Sequence, residues 1–96
     1  MPDTTALNDA DVRKLHADLP AGWEIEQNEL AKTFKFAEFE ATMTFVNAVA
    51  DIARVADHHP DMRVGYNTAR IAWTTHDAGG LTEKDFACAA KTDAKA

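Results

Sequence analysis

AEFEATMTFVNAVADIARVADHHP, residues 37–60, changes structural period within a few positions, and the segments on either side are read from that change. Phe39, Met43, Val46, Ala50 and Ala53 recur every three or four residues, and Phe45, Val49 and Ile52 widen the apolar stripe. Such spacing predicts an amphipathic helix of about five turns, ending near Asp57. Pro60 disfavours helical backbone at His59 and cannot continue a helix itself, so His58 and His59 leave the helix end at a rigid corner.

Upstream of the helix the period is two. Trp23 and Ile25 alternate with polar neighbours, Gln27-Asn28-Glu29 supplies turn chemistry, and Leu30, Lys32, Phe34 and Phe36 continue the alternation, which predicts a hairpin. Before it, Asn8 precedes Asp9-Ala10-Asp11 as an N-cap candidate, and Val12, Leu15 and Leu19 keep helical spacing up to Pro20. Downstream, Met62, Val64 and Tyr66 alternate, Asn67-Thr68 is a candidate turn, and Ala69–Thr75 carries Ile71 and Trp73 on one face of a second hairpin, with His76 at its outgoing end. Asp77-Ala78-Gly79-Gly80 reads as a loop. Thr82 is the N-cap of a last helix with Asp85 three residues on, and residues 92–96 are expected to fray.

The order is helix, strand, strand, helix, strand, strand, helix. It predicts one α+β domain over residues 1–96, a four-stranded antiparallel sheet with three helices packed on one face and the other face partly wet. The apolar fraction of 46% suffices for a core. Sixteen acidic against ten basic residues leave a net charge of −6 without a basic stripe, which argues against direct nucleic-acid contact. No apolar run is long enough to cross a bilayer, and residues 1–10 lack a signal-peptide core, so the expected location is the cytoplasm, without membrane association. The single cysteine, Cys88, reads as a small buried apolar side chain.

The chemistry is concentrated in Asp57-His58-His59-Pro60, Thr75-His76 and Asp85. Unperturbed imidazole titrates near neutral pH, so histidines sharing a cleft can both give and take protons. Asp57 and Asp85 are candidates for orienting an imidazole, although Asp85 also fits the third position of a capping box and Asp57 a solvated helix end. His16 reads as solvated, and Trp23, Tyr66 and Trp73 as core or sheet packing.

These residues give the chain a resemblance to the pterin-4a-carbinolamine dehydratase family, which includes members that also act as dimerisation cofactors of a transcription factor. The resemblance spans nearly the whole chain and rests on His58-His59-Pro60, Tyr66, His76 and Asp85, with Gly22-Trp23, Phe34-Lys35-Phe36 and Gly80-Leu81-Thr82 as supporting matches. Two positions depart from the family pattern: Arg54, where an acidic or other polar residue is commoner, and Lys84, where arginine is frequent.

The resemblance implies a hydro-lyase in tetrahydrobiopterin recycling, converting 4a-hydroxy-tetrahydropterin to quinonoid dihydropterin and water with no cofactor and no metal. It implies His58 and His76 as the acid and base pair, and His59 as the substrate-orienting, charge-stabilising member. The pterin is then bound by His58, His59, Pro60, Thr75, His76, Asp77 and Ala78, with Asp57 and Asp85 in support. It further implies a homodimer or homotetramer built by joining sheets and packing the long helices. Alternatives are a dehydratase-like protein acting on a molybdopterin-related compound, a metal-binding module using His58, His59 and His76, and an interaction protein without essential catalysis.

Overall fold

The computed structural model describes residues 6–96, so the expectation for the leading residues lies partly outside it. The elements are α1 (Asp9–Asp18), β1 (Glu24–Glu26), β2 (Glu29–Lys35), α2 (Phe39–Ala56), β3 (Asp61–Val64), β4 (Thr68–Trp73), a short 3₁₀ turn (His76–Ala78) and α3 (Glu83–Asp93). The sheet is antiparallel throughout, in the order β1-β2-β4-β3. Both hairpins and the expected α+β order are present.

Asn8 caps α1 by accepting the Asp11 N–H at 2.8 Å. Gln27 and Asn28 both take positive φ, 50° and 64°, which a two-residue hairpin turn matched to strand twist requires. Glu29, expected in that turn, is instead the first residue of β2, paired with Glu26. The second turn also differs from expectation. β3 ends at Val64, Thr68 already belongs to β4 and pairs with Lys35 of β2, and the chain reverses over Gly65-Tyr66-Asn67, closed by the Gly65 N–H on Thr68 O at 2.8 Å. A Cβ on Gly65 would lie 2.9 Å from Thr68 Oγ1, so the close approach selects glycine there. Tyr66 is therefore outside the sheet and 66% exposed, stacked on Phe39 with centroids 6.3 Å apart, not a packing residue.

Register puts Leu30 opposite Trp73, Lys32 opposite Ile71 and Phe34 opposite Ala69 on the face toward the helices. Leu30, Ile71, Trp73 and Val49 are sealed from solvent, and Phe45 of α2 packs on Phe34 and Phe36 with centroids 4.7 and 5.0 Å away. Burying a side chain of this size contributes about 1.5–3 kcal/mol. The buried face of α2 is centred on Thr42, Phe45, Val46, Val49, Ile52 and Ala53, while Phe39 at its start is exposed. Thr42 is tolerated inside because its hydroxyl is bonded, to Glu38 O at 3.1 Å and Tyr66 O at 2.9 Å.

The end of α3 is tied, contrary to the expected fraying. Thr92 accepts the Trp73 indole N–H at 3.2 Å and donates to Cys88 O at 2.8 Å. Asp93 accepts Lys32 Nζ at 2.6 Å and the Trp23 indole N–H at 2.8 Å. These donors come from the sheet and the segment before it, so the last turn is held by long-range bonds that local sequence does not display. His16 is likewise not simply solvated: its Nε2–H donates to Trp23 O at 2.6 Å. Cys88 is buried as expected. No described helix is long and apolar enough to cross a membrane.

Candidate functional site

The site is set up by the way α2 ends. Asp57 adopts left-handed backbone, φ 50° and ψ 46°, a conformation costing a non-glycine residue roughly 1–2 kcal/mol and best tolerated by Asn and Asp. Its N–H then reaches Arg54 O at 3.4 Å, and the next N–H, that of His58, reaches Ala53 O at 3.1 Å. This is the paired closure of a Schellman motif, which satisfies carbonyls that would otherwise be orphaned. The backbone of His58 is thus fixed to the helix end, and Pro60 stiffens the following step into β3.

The side chain of His58 is held as well. Its ring stacks on Trp73, centroids 5.6 Å apart and planes within 19°, and Nε2 lies 2.6 Å from Asp85 Oδ1. Only 11% of the imidazole side chain is exposed, and none of Asp85. The other carboxylate oxygen, Oδ2, accepts the Thr82 backbone N–H at 2.9 Å and the Thr75 hydroxyl at 2.8 Å. Asp85 therefore fills both roles its position suggested, closing the α3 capping box and meeting an imidazole.

A carboxylate only accepts, so in the neutral ring the proton sits on Nε2 and the lone pair is on Nδ1. Among the described residues Nδ1 has no hydrogen-bond partner, and no buried side-chain nitrogen or oxygen there is left unpaired, so this nitrogen is reached by solvent. His58 can thus exchange a proton through Nδ1 while Asp85 keeps its other nitrogen protonated, the division of labour seen in carboxylate-oriented histidines.

His58 also lines a cavity of about 240 Å³, together with Asp57, His59, Thr74, Thr75, His76 and Asp77. Two chain segments far apart in sequence, the α2–β3 corner and the β4 exit, form its walls. His76 opens the 3₁₀ turn and is exposed, as are His59, Asp57 and Asp77, whereas Pro60, Thr75 and Ala78 are partly buried. Pro60 and Ala78 flank the lining without belonging to it. A second cavity of about 190 Å³ adjoins on the other side of His76, where the β1–β2 turn meets Gly79 and Gly80. Larger depressions lie on the open sheet face, between α2 and α3 and between α1 and α3, but none of these is lined by histidine.

Among the described residues no group of three or more His, Cys, Asp or Glu side chains is arranged to hold a metal ion. Arg54 pairs with Asp51 on the exposed side of α2, outside the cavity lining. Sequence reading missed Trp73 as the surface beneath His58 and the hydroxyls of Thr75 and Thr82. The only signal for Trp73 was its place on the core face of β4, which says packing; nothing local tells that an imidazole closes over it.

The profile of the family described as pterin 4 alpha carbinolamine dehydratase matches residues 5–95. A Chromobacterium violaceum protein provisionally named pterin-4-alpha-carbinolamine dehydratase is 57% identical over 88 residues, spanning 92% of this chain and 81% of that protein. One of Chloroflexus aurantiacus, named in the same way, is 51% identical over 87 residues, 91% of this chain and 92% of that protein. Among solved structures, a transcriptional coactivator/pterin dehydratase from Brucella melitensis superposes with a TM-score of 0.91 at 29% identity, covering 96% of this chain and 99% of the other. A pterin dehydratase-like protein identified as a RuBisCO assembly factor in the alpha-carboxysome superposes with a TM-score of 0.66 at 26% identity, covering 77% and 88%.

Proposed function

The chain belongs to the pterin 4 alpha carbinolamine dehydratase family, and from that membership we propose that it removes water from a 4a-hydroxy-tetrahydropterin to leave the quinonoid dihydropterin, as a step of tetrahydrobiopterin recycling. The bond from C4a to oxygen breaks, the hydroxyl leaves with an added proton as water, N5 gives up its proton, and a double bond forms between N5 and C4a. One proton is delivered and one removed, so the balance needs a positioned acid and a positioned base and no oxidant.

His58 and His76 are the two proton carriers in this reading, and His59 orients the substrate. The backbone from Thr75 to Ala78 and the corner at Pro60 hold the flat ring, with Asp57 at the rim. The observation that carries the reading is the pairing of His58 Nε2 with buried Asp85, in a ring that lines the same cavity as His76. Positioned acid and base groups contribute about 10²- to 10⁴-fold, ample for a step that proceeds slowly unaided. The protein works in the cytoplasm as a homodimer or homotetramer in the same proposal.

Stopped-flow absorbance of freshly generated 4a-hydroxy-tetrahydropterin tests it, with and without a chelator. Acceleration by the wild type that survives the chelator and collapses in His58→Ala and His76→Ala is the expected outcome. A decay no faster than in buffer overturns the reaction.

A second reading, an interaction protein, draws on the two structural relatives, whose descriptions name a coactivator and an assembly factor, and on Phe39, Val55 and Tyr66, large apolar side chains left exposed. Loss of all three cavity histidines leaves such a role intact, so a partner interaction retained by the triple alanine variant favours it.

A further inference from the structure

Asp85 makes more bonds than a helix cap needs. A capping box accounts for its contact with the Thr82 N–H; the bonds to His58 and to Thr75 are additional, and the carboxylate is sealed from solvent. Directionality fixes how these groups are ordered. The carboxylate only accepts, so Thr75 spends its single hydroxyl proton on Oδ2, and the contact of 3.0 Å between Thr75 Oγ1 and Thr82 Oγ1 must then run from Thr82 to Thr75. The chain of bonds is Thr82 hydroxyl to Thr75 hydroxyl to Asp85, with His58 donating to the opposite oxygen.

Thr75 also sits immediately before His76, on the strand exit that forms the facing wall of the cavity. We propose that Thr75 is the positioning residue that keeps the two histidines in register: its hydroxyl locks the Asp85 carboxylate plane, and thereby the tautomer and tilt of His58, while its main chain carries His76. With Thr75 bonded, Oδ2 has two donors from different elements, one from the β4 exit and one from α3, so the carboxylate cannot rotate away from His58 without losing one of them. With the hydroxyl gone, Oδ2 keeps only the Thr82 N–H, and the Thr82 hydroxyl loses its acceptor.

The consequence for rate rests on the dehydratase reading, whereas the effect on His58 does not, and the test separates them. Thr75→Val, Thr75→Ser and wild type are compared by ¹⁵N-resolved imidazole NMR without substrate, and by stopped flow with 4a-hydroxy-tetrahydropterin. Thr75→Val is expected to turn a single Nε2–H tautomer of His58 into an averaged mixture and to lower kcat about 10- to 100-fold, the loss that accompanies removal of a hydrogen bond to a charged group. KM stays near wild type, and Thr75→Ser restores both signals. A merely structural threonine would lower the unfolding midpoint and leave the tautomer unchanged.

An unaltered His58 tautomer in Thr75→Val overturns the proposal whatever the activity. An averaged tautomer in a protein that never accelerates the dehydration upholds the positioning role and rejects the dehydratase reading alone. If the valine variant does not fold, the smaller Thr75→Ala is read by the same two measurements.

Discussion

His58 and His76 line one cavity but are held in opposite ways. His58 is bonded through its backbone to the end of α2, stacked on Trp73 and pinned by a buried carboxylate, with 11% of its side chain exposed. His76 stands exposed at the start of a three-residue 3₁₀ turn whose cap, Thr75, makes no side-chain bond to the turn. One wall of the site is therefore part of the core and the other part of the surface. Orientation on the His58 side is set by folding, whereas among the described residues no side-chain bond holds His76, the contrast expected where a loop meets a rigid scaffold. Substitution of His58 should then disturb stability and chemistry together, and that of His76 chemistry alone.

The sharpest way to break this comparison is the pair His58→Ala and His76→Ala. Each is expected to lower the dehydration rate by about 10²- to 10⁴-fold. Only His58→Ala should also cost about 1–3 kcal/mol of stability, because it strips a buried carboxylate oxygen of its partner. Urea titration beside stopped flow reads both, and equal stability losses in the two variants would end the distinction between the walls.

Asp85→Asn is the next largest. It keeps the shape but replaces a pure acceptor with an amide, so His58 loses its charged partner. The expected drop is about 10- to 100-fold in rate, with kcat falling more than KM rises. Wild-type kcat in this variant would mean that Asp85 serves only the helix cap.

Trp73→Phe retains a ring under His58 and leaves Thr92 without its indole donor. A loss of about 1 kcal/mol, seen in thermal or urea unfolding, is expected with the rate nearly unchanged. A large loss of rate would show that the indole itself, and not a ring in general, orients the imidazole.

The smallest effects are expected away from the orienting bonds. His59→Ala should raise KM with kcat close to wild type, since the side chain is exposed and assigned to orientation. Burial pushes the Cys88 thiol above its ordinary value of 9.0, so the native state holds that proton after the unfolded chain has lost it. The stability contributed is fully present below about pH 9 and declines as pH rises from there through the higher native pKa. Comparing Cys88→Ala with wild type in urea titrations at pH 7 and pH 10 checks the sign: the gap should move in favour of the alanine variant at high pH.

Much of this architecture was legible because local patterns and global fold agree. The stripe on α2, the alternation in β2 and β4, the Asn8 cap and the Thr82–Asp85 spacing each identify their element without outside information. Errors fell where a distant partner outweighs a local pattern. Tyr66 continues the alternation of Met62 and Val64, yet Gly65 lets the chain turn first. Thr92 and Asp93 look like a fraying end, yet receive donors from Trp73, Trp23 and Lys32. His16 looks like a solvated helix residue, yet bonds Trp23 O.

The site divides along the same line. By itself the sequence determined the residue types, the helix end and proline that corner His58 and His59, and the family to which they point, because periodicity, capping and motif order are properties of neighbours along the chain. Only the tertiary structure decided that Asp85 serves His58 as well as its own helix, that Thr75 completes the carboxylate's bonds, and that Trp73 lies beneath the ring. Hydrogen bonds between residues 27 apart depend on how α2, β4 and α3 pack, and packing is settled by the whole core at once.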